Sequence, residues 1–114
     1  MRKQMIENAA YEVATQCRTV EDSLDAALAG IVELQSRMMH ARAVAPVGFA
    51  TGQDALEKVV ETTKALIGVR GAMASCHAAL AEVRGQVPGL RTVAFGDVEE
   101  CPPREGSANL RVVA

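Results

Sequence analysis

From Ile6 to Ala41 the apolar residues recur at alternating steps of four and three: Ile6, Ala10, Val13, Cys17, Val20, Leu24, Ala27, Ile31, Leu34, Met38 and Ala41. A spacing that averages three and a half residues keeps one side of an α-helix apolar along its whole length, so the chain is constrained to a long helix lying against another helix. The charged residues of this segment all fall off the line. One helix, roughly residues 3–44, is the simplest reading, with a break near residue 18 as the alternative, because Thr19 followed by Asp22 has the spacing of a helix cap.

The helix must stop at the stretch AVAPVGFATG, where Pro46 disfavours helical geometry for Ala45 and two glycines follow. Thr51, with Asp54 three residues on, reads as the cap of a second helix, at roughly residues 52–87. Its apolar line is Ala55, Val59, Thr62, Leu66, Val69, Met73, Cys76, Leu80, Val83 and Val87, again in steps of four and three. Two such helices joined across residues 45–51 imply an all-α fold, an antiparallel, coiled-coil-like two-helix hairpin. In it Cys17 and Cys76 would lie at a similar height, close enough for mild oxidation to join them.

The apolar surface is wider than this seam. Leu28, Val32 and Met39 on the first helix and Leu56, Val60 and Ile67 on the second lie beside it. Each helix of a hairpin has one neighbour, and burying a side chain such as Ile67 is worth about 1.5–3 kcal/mol. These six residues are therefore expected to form a self-association surface, most simply a two-fold homodimer that completes a four-helix bundle. Gly30, Gly68 and Gly71 within the helices suggest points where backbones come close.

The hairpin would occupy residues 1–88, leaving 89–114 as a C-terminal tail. Its runs LRTVAF and NLRVVA are β-prone, and a turn-rich acidic linker separates them. The tail is read as extended or as a small β-hairpin, with Leu90, Val93, Phe95, Leu110 and Val112 as candidate partner-binding residues that could add to the sheet edge of a larger protein assembly; a disordered tail is the alternative.

A net charge of −2, spread evenly, argues against a nucleic-acid partner. Glu7 interrupts the N-terminus before an apolar run develops, so a cleaved signal peptide is not expected, nor is a membrane partner. Three cysteines without a C-x-x-C pair fit a reducing, cytoplasmic setting, or a place in a phage-like particle.

Chemistry is sparse. A di-iron bundle needs Glu three residues before His, which neither His40 nor His77 has, and the small and basic residues that follow a phosphotransfer histidine are missing after His77. The candidate metal ligands are Cys17, Cys76 and His77, against the favoured reading that Cys76 is a small buried hydrophobe and His77 a polar residue at the seam's edge. No cofactor and no enzymatic activity are expected. The sequence reads as a non-enzymatic helical assembly or interaction protein, with a regulatory adaptor that binds a client helix, or a metal- or ligand-binding bundle, as alternatives.

Overall fold

A computed structural model describes residues 2–87, which form two α-helices: α1, Arg2–Val44, and α2, Gln53–Gln86. No strand occurs among the described residues, and the fold is an all-α hairpin. The tail and its five candidate partner-binding residues lie outside the described residues. Val20–Ala74, including the loop, make one compact unit, and the described residues up to Thr19 and from Ser75 onward make the other.

In the first of these units the turn is built around Arg42, in the last turn of α1. Its Nε donates to the Thr51 carbonyl at 2.8 Å and its Nη2 to the carbonyls of Gly48, at 3.3 Å, and Phe49. The guanidinium also lies 5.6 Å from the centroid of the Phe49 ring, within cation–π range. One side chain thus satisfies three loop carbonyls that have no helical partner. The first bond of α2 runs from the Leu56 amide to the Gly52 carbonyl, so Gly52 and not Thr51 occupies the capping position. Gly52 has φ +83°, a left-handed conformation that side chains disfavour, and this explains glycine there. Further along the same unit, the Arg70 Nε of α2 donates to Asp25 Oδ1 of α1 at 2.6 Å.

In the other unit α1 and α2 meet through small residues. Ala10 and Ala14 are buried, with Ile6, Leu80 and Val87 packed against them, and Cys17 is buried one turn further on. In both units the helices pair in opposite directions.

The burial pattern corrects the expected seam. On α1 the less exposed positions are Ile6, Glu7, Ala10, Ala14, Cys17, Arg18, Glu21, Asp22, Leu24, Leu28, Ile31, Gln35, Met38 and Arg42; on α2 they include Leu56, Val59, Thr63, Leu66, Met73, His77, Leu80, Arg84 and Val87. The spacing is the expected one, and half the expected residues are on it. The other half, Val13, Val20, Ala27, Leu34 and Ala41 on α1 and Ala55, Thr62, Val69, Cys76 and Val83 on α2, are exposed. Each helix is turned by about 50° from the expected orientation, one column of a seven-residue repeat. The columns that turn inward carry Glu7, Glu21 and Arg42 on α1 and His77 and Arg84 on α2. Polar members of such a seam need partners, and the Thr63 hydroxyl finds one in the Val59 carbonyl at 3.0 Å.

The helical glycines are also corrected. A Cβ built on Gly30, Gly68 or Gly71 meets nothing within 4 Å, so these residues mark open surface and not close backbone approach. The same substitution should therefore act in opposite directions at two sites. Gly68→Ala should raise stability by about 0.5–1 kcal/mol and Gly52→Ala should lower it by about 1 kcal/mol or more, as read from urea unfolding. The register has its own test: Ala14→Leu, at a position with 0% exposure, should cost about 1–3 kcal/mol, while Val13→Ala, 44% exposed, should cost less than about 1 kcal/mol.

Candidate functional site

Two features distinguish this hairpin from a featureless helix pair. The first is a polar cluster within the seam. Cys17 comes from the α1 column that the sequence identified, and the rotation of α2 brings His77 in beside it in place of Cys76. His77 is 8% exposed, the described buried polar residue, and its Nδ1 lies 3.8 Å from the Cys17 Sγ. A thiol and an imidazole are both ligand types for a divalent metal, and here they meet within one compact unit.

Of the three sequence candidates for metal binding, the structure brings together Cys17 and His77 and turns Cys76 outward as an exposed free thiol. The expected Cys17–Cys76 pairing is accordingly replaced by a Cys17–His77 contact.

The second feature is the exposed apolar surface. The column Val13, Val20, Ala27, Leu34 and Ala41 of α1 and the column Ala55, Thr62, Val69, Cys76 and Val83 of α2 contain no charged residue. In an antiparallel pair, equivalent columns of the two helices border the same side, so within Val20–Ala74 these residues form one uncharged flank. The residues expected to mediate self-association are divided. Leu28 and Leu56 are half-buried in the seam, and Val32, Met39, Val60 and Ile67 are exposed on the opposite flank, where the α1 column also carries Arg18 and Asp25.

No protein-family model matches the chain, and no curated protein or solved structure matches it significantly. No described helix is long and apolar enough to cross a membrane.

The exposure of the two thiols gives a direct check. With brief alkylation of the folded protein and peptide mass spectrometry, Cys76 should be modified readily and Cys17 should be protected until the protein is unfolded; equal labelling would place the seam back on the expected column.

Proposed function

We propose that this chain is a non-enzymatic helical interaction protein that associates with a second copy of itself through its uncharged flank. The observation that carries the reading is the absence of charge along seven exposed positions of the Val20–Ala74 unit, four on α1 and three on α2; among the described residues the buried apolar core consists of Ala10, Ala14, Cys17 and Val59. Such a core contributes little. Three of these four side chains are small, and hydrophobic stabilisation scales with the apolar area removed from water. Val20, Leu34 and Val69 are each more than a third exposed within one compact unit, and covering them would add what the seam lacks.

A second copy is the occupant that fits best. An uncharged column on both helices is self-complementary about a two-fold axis, with no like charges brought together, and two hairpins stacked on it make a four-helix bundle. The opposite flank is less suited, because Asp25 and Arg70 form their ion pair beside it.

The test is light scattering on wild type and single variants. Wild type should be a dimer or larger. Leu34→Glu or Val69→Glu should weaken association about 100-fold or more, the result of placing an unpaired charge in an apolar contact, with most of the helical circular dichroism retained. Ile67→Glu, on the other flank, should have a much smaller effect. A dimer sensitive only to Ile67→Glu would move the interface to the second flank, and a monomeric wild type would replace self-association with an adaptor that covers this face with a client helix.

A further inference from the structure

We infer that the tip of the hairpin docks on a second copy of this chain, Phe49 of each copy entering the groove on the first turns of α2 of the other. The element lies entirely within Val20–Ala74. Residues 43–53 carry no charge, and Val44, Val47 and Phe49 are exposed, Phe49 by 92%. The loop that presents the ring has its shape set from within. Arg42 donates to the carbonyls of Gly48, Phe49 and Thr51, and its guanidinium lies 5.6 Å from the ring centroid. A side chain fixed before binding loses less freedom when it docks, so an aromatic ring on a braced loop is an efficient anchor.

Two observations select a second copy as the occupant. The first is a receptor on the chain itself. Gln53, Leu56, Glu57, Val60 and Glu61 line an open depression on the first turns of α2. Leu56 and Val60 are its apolar members, Val60 being 53% exposed, and Glu57 and Glu61 its acidic ones. The second is charge. Residues 35–44 of α1 contain Arg37, His40 and Arg42 and no carboxylate, whereas residues 53–61 of α2 contain Asp54, Glu57 and Glu61 against Lys58. Asp54 and Glu57 make no ion pair among the described residues, and Arg37 and Glu61 pair along their own helices, with Glu33 and Lys58. Two tips related by a two-fold axis set the basic end of each α1 against the acidic start of the other α2. Complementary charge of this kind steers the pairing and fixes its register. The groove shares no residue with the uncharged flank, so the contact does not rest on the flank reading. Each Phe49 ring buries about 150–250 Å². Two rings fall well short of the ~1,000 Å² that a stable interface takes, so the tip pairs transiently by itself and links copies that are already joined elsewhere.

Photo-crosslinking captures a transient contact. The full-length chain, with Val47 replaced by a benzophenone amino acid and Phe49 retained, is prepared in isotopically light and heavy forms, mixed in equal amounts and irradiated. Peptide mass spectrometry should find cross-links that join a light chain to a heavy one, from position 47 to residues 53–61. Phe49→Ala should reduce their yield severalfold, as should Glu57→Lys/Glu61→Lys, and raising the salt to about 1 M should do the same by screening the charges. Circular dichroism shows that the helices persist in each variant. The light-to-heavy cross-links should survive Leu34→Glu, which disables the uncharged flank. Their loss in Leu34→Glu would assign them to the flank contact and overturn the tip, whereas their survival beside unchanged light scattering would remove the flank and leave the tip. Cross-links confined to single chains, light-to-heavy cross-links to another segment, a yield indifferent to Phe49→Ala, or no cross-links at all each overturn the inference.

Discussion

The width of the apolar arc on each helix is the constraint on which the rest of the structure depends. A helix in a hairpin has one neighbour, and a seam two columns wide accommodates only part of what α1 and α2 carry. Whichever pair of columns turns inward, apolar residues are left on a flank. The columns chosen are those whose buried residues on α1 are small: Ala10, Ala14 and Cys17. Small side chains let backbones approach; the more apolar alternative would have filled the seam with bulkier valines and a leucine and left Glu7 and Glu21 at its margin.

This choice generates both functional features. Turning His77 inward places an imidazole against a buried thiol, and the same rotation leaves Val20, Leu34 and Val69 outside. An exposed apolar flank is unfavourable unless it is covered, and on the proposed reading a second copy covers it. The Arg42 turn is the opposite case: its three carbonyl contacts lie within the loop, which needs no partner to hold its shape.

Much of the fold was legible because helical periodicity is a local property. The unbroken three-and-four spacing, Pro46 and the glycines around it are enough for two long helices and a short turn between them. The column 10, 17, 24, 31, 38 on α1 and the column 59, 66, 73, 80, 87 on α2 were also legible, since both candidate seams share them. The capping residue was less so: Thr51 has the better side chain for the role, but the backbone reaches left-handed geometry at Gly52, where only glycine is free of strain.

What the sequence by itself determined is therefore the helices, their antiparallel pairing within each unit, the excess of apolar surface and the presence of Cys17 on the inner line. The tertiary structure alone decided which of two flanking columns completes the seam, and with it the inward placement of His77 and the outward placement of Cys76. The physical reason is that hydrophobic patterning ranks columns by apolarity, whereas packing two helices depends on side-chain volume and on which residues meet across the gap. Those quantities belong to pairs of residues sixty positions apart, such as Cys17 and His77, and no property of either helix alone contains them.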